Sequence, residues 1–370
     1  MSDLEQKLSD SLAAKALEKA LHGEKLDFND GLALMSDDKL PLICSVADII
    51  RRRVVGEDVS FVVSYNMNYS NVCAASCQIC AFYRRKEDAD AYTFSKDEIL
   101  DQVSEGVSWG ATEVHIVGGL NPYLGIEYYE EMFEAIKAKF PDIIIKALTM
   151  AEIFFIAKLT KNSVNETLQR LKASGLGALP GGGAEIFHDE IRPLIARGKM
   201  SGDEWLQTAE QAHRLGIRSN STMLYDHIEN DKHRVDHILK LRDLQEKTGG
   251  FISFIPLKFS PPNTELLDKG SLSNNTSPMI DLRVMAVSRL LLGDYIKNIV
   301  VYWVPLGKDI AQNCLTAGGN DLMGTSFREK IYKEAGRDEI ATKDDLANMV
   351  REIGRKPVER DTFYNVLKRL

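Results

Sequence analysis

Apolar positions change their period along the chain. Over residues 4–56 they recur at helical spacing. Leu12, Ala13, Leu17, Ala20 and Leu21 share one face, Asp30 is placed to cap a short helix through Leu34, and the run 40–53, rich in Leu, Ile and Val, reads as another helix. From residue 59 the pattern becomes β-rich runs that alternate with helix-length amphipathic segments. The predicted strands cover 59–66, 112–117, 143–148, 176–179, 217–224, 251–259 and 299–303, and the predicted helices cover 95–109, 126–140, 164–174, 203–215, 234–248 and 278–292. Ser95 caps the first of these helices, with Asp97 and Glu98 in its first turn. Pro141, Gly175, Gly216 and Gly249-Gly250 supply stops. From Pro305 the alternation breaks into a Gly-rich loop and helices, ending in a mixed-charge helix predicted over 360–370.

Strands separated by helices require parallel crossovers. The alternation predicts an α/β fold: a partial or full (β/α) barrel of TIM type over 59–304, an N-terminal helical cap over 1–58, and a C-terminal helical extension over 305–370 packed on the barrel. A doubly wound flat sheet is the competing architecture. Polar, Gly-rich or cysteine segments follow the C-terminal ends of nearly every predicted strand, where barrels gather their chemistry, and this favours the barrel.

Charge narrows the partners. A formal net charge of −8 weighs against a nucleic-acid partner, which needs a basic face. No apolar stretch reaches membrane-spanning length, and Met-Ser-Asp-Leu-Glu-Gln-Lys does not read as a secretory leader. Five cysteines, an odd count, point to a reducing compartment, so the expectation is a cytoplasmic protein without nucleic-acid or membrane partners.

Three of those cysteines sit within eight residues: Cys73, Cys77 and Cys80, spaced C-x-x-x-C-x-x-C in a Gly-free loop directly after the first predicted strand. A structural zinc site and an ordinary 4Fe-4S electron carrier each take four protein ligands. A cubane held by three thiolates leaves one iron open to a substrate. Zinc completed by a distant residue such as His115, and a non-catalytic iron–sulfur carrier, are the competing readings.

Further candidate residues follow the ends of later strands. Gly118-Gly119 lets backbone approach a ligand closely. Gly181-Gly182-Gly183 can present several N–H groups to an anion, and Glu185 just beyond is placed to accept hydrogen bonds from ribose hydroxyls or an ammonium. In 218–223, Arg218, Asn220 and Thr222 share one side of a strand, a polar stripe that needs partners inside a barrel. His115 and Lys258 are similar candidates, and a core histidine is the plain alternative for His115.

The cysteine spacing, the strand before it and the glycine pair one strand later resemble the radical S-adenosylmethionine (SAM) superfamily. The resemblance implies that Cys73, Cys77 and Cys80 bind a 4Fe-4S cluster whose open iron chelates SAM. An electron then cleaves the sulfonium to methionine and a 5′-deoxyadenosyl radical. It implies that Gly118 and Gly119 meet the SAM amino group. The residue before the last cysteine is often aromatic in that superfamily and is Ile79 here, so Phe82 or Tyr83 is assigned to the adenine side.

The stretches 115–122, 146–149, 179–187, 213–225, 249–257 and 263–266 carry a narrower likeness. They resemble the aminofutalosine synthase family of the futalosine route to menaquinone, with the ring-closing cyclase of that route and the tyrosine-using deazaflavin-precursor synthases as near relatives. The resemblance implies a transferase that adds the adenosyl radical to 3-[(1-carboxyvinyl)oxy]benzoate. Rearrangement and decarboxylation follow, giving 6-amino-6-deoxyfutalosine, and a flavodoxin or ferredoxin serves as reductant. Two carboxylates on that substrate call for cations, and Arg218, Lys146, Lys258 and Arg84 are the candidates. Arg218, His115 and Asn220 are the expected catalytic residues; Phe82, Tyr83, Gly118, Gly119, Gly182, Glu185 and Asn220 are the expected cofactor contacts.

Overall fold

The computed structural model describes residues 11–270, 272, 277–325, 327–337 and 339–370. Among the described residues, three helices precede β1 (Asp58–Val62), which leads into β2 (Ser64–Met67). Then β3 (Glu113–Ile116), β4 (Ile144–Ala147), β5 (Leu176–Leu179), β6 (Arg218–Tyr225) and β7 (Phe251–Lys258) follow, with helices between them. β2 to β7 pair in sequence order, all parallel, as six strands of a (β/α) barrel. Parallel bridges Phe254–Ile299 and Val300–Asp321 carry the pairing from β7 to β8 (Asp321–Gly324). β8 pairs with β1, and β1 runs on through Val63 into β2, so the parallel pairing closes a ring.

Local sequence sets where each crossover helix starts. Ser95 with Glu98, Thr149 with Glu152, Ser163 with Glu166 and Ser201 with Glu204 form reciprocal capping boxes, satisfying amides that the first helical turn leaves open. The N-terminal helices lie outside the ring. Phe28–Ser36 packs on Asp231–Thr248, and Leu40–Val55 packs on Pro278–Leu292. The first of these is capped by Asp27, and Asp30 is the reciprocal acid at its third position, not the cap expected of it.

Three expectations change. The run 59–66 is two strands in different sheets, because the pairing partner switches from β8 and β9 to β3 at Val63. A helix over Met150–Thr160 was not foreseen, since its apolar run Ile-Phe-Phe-Ile-Ala shows no periodic polar face. The predicted C-terminal helix is a hairpin: β9 (Lys356–Arg360) pairs parallel with β1, and β10 (Val366–Arg369) pairs antiparallel with β9. The segment after 304 therefore supplies a strand to the ring as well as packing on it.

That hairpin closes the N-terminal end of the barrel with buried charge. Arg360 donates to both oxygens of Asp321 at 2.6 and 2.9 Å, and Ser60 Oγ donates to Asp321 at 2.6 Å. Beside them Lys146 is paired with Glu113, which also accepts from Thr362 Oγ1 at 2.7 Å. A buried ion pair adds little net stability, but deleting one partner strands the other. Asp321→Ala is therefore expected to cost about 3–5 kcal/mol, measured by denaturant unfolding. A loss under about 1 kcal/mol, the range of an exposed pair, would show that Arg360 is not desolvated.

Candidate active site

Cys73, Cys77 and Cys80 line one cavity of about 290 Å³ at the C-terminal mouth of the barrel. The loop that carries them is held from several sides. Ala74 N donates to Leu120 O at 2.8 Å, Leu120 N donates to Cys73 Sγ at 3.3 Å, and Ser76 N donates to Arg197 O at 3.2 Å. The first two bonds depend on how closely the end of β3 approaches. A Cβ on Gly119 would lie 2.2 Å from Val72 O, and one on Gly118 would lie 2.7 Å from the Tyr69 ring. Neither position has room for a side chain.

Glu152 fixes this turn from below. Its Oε1 accepts from Gly118 N at 3.0 Å and from the Tyr69 hydroxyl at 2.9 Å, and its Oε2 accepts from Thr149 N at 2.7 Å. Burial raises its pKa despite those donors. Glu152 was not singled out from sequence, although Thr149-x-x-Glu152 is a capping signature that the strand end makes visible.

Burial also raises the pKa of all three thiols, and Lys199 is the positive charge that opposes it. Lys199 pairs with Glu185 at 2.7 Å, and its charge keeps the buried Glu185 carboxyl below the ordinary value. Glu185 is thus already engaged by an ammonium, one supplied by the chain. Among the described residues no group of three or more His, Cys, Asp or Glu side chains is placed to hold a single metal ion. Three thiols lining one cavity supply the ligand set of a cubane with one iron left open.

The other expected residues divide into two groups. Phe82, Tyr83, Gly118, Gly119, Gly182, Glu185 and His115 line the cavity. Burial, aided by the Lys146 charge, pulls the His115 pKa down to about 3, so the ring is neutral, and its buried Nδ1 has no hydrogen-bond partner. Arg218 and Asn220 do not line the cavity. Arg218 is exposed at the first residue of β6, over the Phe363 ring at 5.9 Å. At about 3.3 Å per residue the mouth lies four residues further on, and Thr222 of the same stripe reaches it. Asn220 is buried between the two, where its Oδ1 accepts from Ser253 Oγ at 3.1 Å.

The candidate cations are likewise redistributed. Lys146 is consumed by Glu113 at the closed end, and Arg84 turns to loop carbonyls and to Asp90. Lys258 does line the cavity, anchored by Asp281 at 2.7 Å. Sequence reading missed Lys199, Tyr302, Glu329 and Tyr332, which also line it. Glu329 accepts from Ile331 N at 2.7 Å, Asn66 Nδ2 at 3.1 Å and the Tyr302 hydroxyl at 3.2 Å, and burial raises its pKa. No local motif marks these residues, because segments far apart in the chain bring them together.

Thiols on the loop after a barrel strand, facing a cavity at the C-terminal mouth, define an iron–sulfur barrel enzyme. The chain belongs to the radical SAM superfamily. It matches the Radical SAM superfamily over residues 67–241 and the CofH/MqnC C-terminal region over residues 248–369. It is 40% identical over 353 residues to aminodeoxyfutalosine synthase of Thermus thermophilus, covering 95% of each chain. It is 38% identical over 358 residues to a 5-amino-6-(D-ribitylamino)uracil–L-tyrosine 4-hydroxyphenyl transferase of Methanothermobacter thermautotrophicus, covering 96% of this chain and 97% of that one. Among solved structures, the FeFe-hydrogenase maturase HydG of Carboxydothermus hydrogenoformans superposes with a TM-score of 0.74 at 17% identity, over 98% of this chain and 85% of that one. Methylornithine synthase (PylB) gives 0.69 at 19% identity, over 92% and 97%. These two show the same fold. The protein is an enzyme of this superfamily, and its cofactors are a 4Fe-4S cluster and SAM. No described helix is long and apolar enough to cross a membrane.

Gly119→Ala tests the close approach directly. The methyl group must displace the Val72–Cys73 backbone, so reconstituted protein is expected to hold well under half the iron of wild type while the barrel keeps its far-ultraviolet circular dichroism. Wild-type iron content in Gly119→Ala would show that the loop does not need this contact.

Proposed function

We propose that the enzyme is a transferase of the aminofutalosine synthase type, joining the 5′-deoxyadenosyl group of SAM to 3-[(1-carboxyvinyl)oxy]benzoate, with release of methionine, rearrangement and decarboxylation, to form 6-amino-6-deoxyfutalosine in menaquinone biosynthesis. The observation that carries this reading is where the family-like stretches lie. Residues 179–187 and 213–225 are joined to each other at the cavity wall: Thr222 Oγ1 donates to Gly181 O at 2.9 Å, and Leu224 N donates to Glu185 O at 2.7 Å. The likeness to the synthase extends over 95% of the chain, and these two of its stretches meet where a bound ligand would be read.

In this reading Cys73, Cys77 and Cys80 hold the cluster, which with SAM supplies one-electron cleavage and delivers the adenosyl group. Gly118, Gly119 and Gly182, without side chains, let SAM approach the backbone closely, and Phe82 and Tyr83 cover its adenine side. Leu224, Ile255, Leu257 and Phe259 give the cavity apolar walls that keep water from the reacting centre. Neutral His115 offers a hydrogen-bonding group without charge. Lys258 takes a substrate carboxylate, held in place by Asp281. A one-electron donor such as flavodoxin or ferredoxin and a cytoplasmic setting complete the assignment.

One observation favours a second reading, the tyrosine-using deazaflavin-precursor reaction. Both lysines that line the cavity, Lys199 and Lys258, are already paired with carboxylates. A zwitterionic amino acid with an uncharged polyol suits such balanced charge, whereas a dicarboxylate needs a cation to spare. Mass spectrometry of anaerobic reactions with SAM and dithionite separates the two. The expected result is a decarboxylated adenosyl adduct with 3-[(1-carboxyvinyl)oxy]benzoate, and no product from L-tyrosine with 5-amino-6-(D-ribitylamino)uracil. The opposite pattern would replace the first reading by the second, and free 5′-deoxyadenosine alone would contradict both.

A further inference from the structure

Arg84 closes the cysteine loop at both ends. Ahead of the first thiol, its backbone N donates to Asn71 O at 2.8 Å and its carbonyl accepts from Cys73 N at 3.0 Å. Beyond the last thiol, its guanidinium donates to the carbonyls of Ala81, Phe82 and Tyr83 at 3.0, 3.3 and 3.0 Å. Its Nε also donates to Asp90 at 2.7 Å. The two Nη1 hydrogens are shared among the three carbonyls while Nε serves Asp90, a division of donors across a planar fork that an ammonium cannot reproduce.

The same guanidinium reaches a segment 250 residues away. Arg84 Nη2 lies 3.3 Å from Glu334 Oε2. Glu334 belongs to residues 327–337, which roof the cavity through Glu329, Ile331, Tyr332 and Ala335. On the other side this roof is pinned to the end of β7: the Tyr332 hydroxyl donates to Lys258 O at 3.3 Å, Ser260 Oγ donates to Ala335 O at 2.9 Å, and Asn263 Nδ2 donates to Glu334 O at 2.7 Å. On the cysteine-loop side Arg84 supplies the charge contact, and Lys330 lies over the Tyr92 and Phe94 rings at 4.6 and 5.0 Å. The Arg84 and Glu334 side chains are 22% and 44% exposed, so their contact is a modest coupling and not a rigid weld.

We propose that Arg84 is a positioning residue that ties the folded cysteine loop to the roof of the cavity, so that ordering of the loop and closure over the second substrate reinforce each other. Thermodynamic coupling of this kind is reciprocal: whatever orders the loop slows opening of the roof, and loosening the loop speeds it. Nothing in this depends on which second substrate the cavity takes.

Amide hydrogen exchange on cluster-loaded protein, with iron content measured in parallel, tests the proposal. Glu334→Gln removes the charge link and leaves the loop carbonyls capped. Exchange of residues 327–337 is expected to quicken about two- to fivefold, the range an ion pair of this exposure supports. By reciprocity, loop exchange is expected to quicken by no more than the same factor, while iron content stays at wild type because the loop carbonyls remain capped. Arg84→Lys keeps the charge but loses the fork, so it is expected to lower iron content and quicken exchange in both segments. Removing the cluster from wild type is expected to quicken exchange of the roof as well. Unchanged roof exchange in Glu334→Gln, or in cluster-free wild type, would overturn the coupling. Wild-type iron and loop exchange in Arg84→Lys would overturn the positioning role. Should Arg84→Lys fail to fold, Glu334→Gln and the cluster-free wild type still decide the coupling.

Discussion

Two backbones approach each other at Gly119 more closely than any side chain would allow, and the active site depends on that approach. The contact lets Leu120 exchange hydrogen bonds with Ala74 and with the Cys73 sulfur, which sets the first thiol against the end of β3. Glu152, at the start of the next crossover helix, makes the turn rigid by accepting from Gly118 and Tyr69 together. A buried carboxyl is costly unless its acceptors are filled, and here a helix cap, a peptide and a phenol fill them. The chemistry of the loop thus rests on the capping geometry of a neighbouring helix.

The barrel and its mouth could be read from sequence because both are written locally. Period-two runs, helix caps and glycine stops mark each β/α unit, and the thiols and glycines fall directly after strand ends. What escaped was written non-locally. The hairpin over 356–369 reads as a charged helix until Arg360 is seen to meet Asp321 and Arg369 to meet Asp58. Arg218 looked like a carboxylate holder because it shares a stripe with Thr222, but periodicity gives the face of a strand and not the depth along it. Lys199, Glu329 and Tyr332 have no motif at all, since their positions follow from tertiary packing.

Charge in the interior is arranged in separate layers. At the closed end, Lys146 with Glu113 and Arg360 with Asp321 are matched pairs that do not line the mouth cavity. At the mouth, Lys199 with Glu185 stands near the thiols and Lys258 with Asp281 stands under the roof. His115 lies between these layers and stays neutral through burial and the Lys146 charge. The C-terminal part of the chain does three jobs in this arrangement: β8 completes the ring, the hairpin seals the base, and residues 327–337 roof the cavity. A mouth built this way offers bound molecules fixed dipoles and already neutralised ions, which favours precise placement over tight electrostatic capture.

In the proposed enzyme, three thiols at the barrel mouth hold a cluster with an iron left open for SAM. Electron paramagnetic resonance of the reduced, reconstituted protein, recorded with and without SAM, reads that open iron. The expected result is a 4Fe-4S signal whose shape changes when SAM is added, in the wild type and in no variant that lacks Cys73, Cys77 or Cys80. A signal indifferent to SAM would contradict it, because it would mean that the cluster has no iron open to its co-substrate.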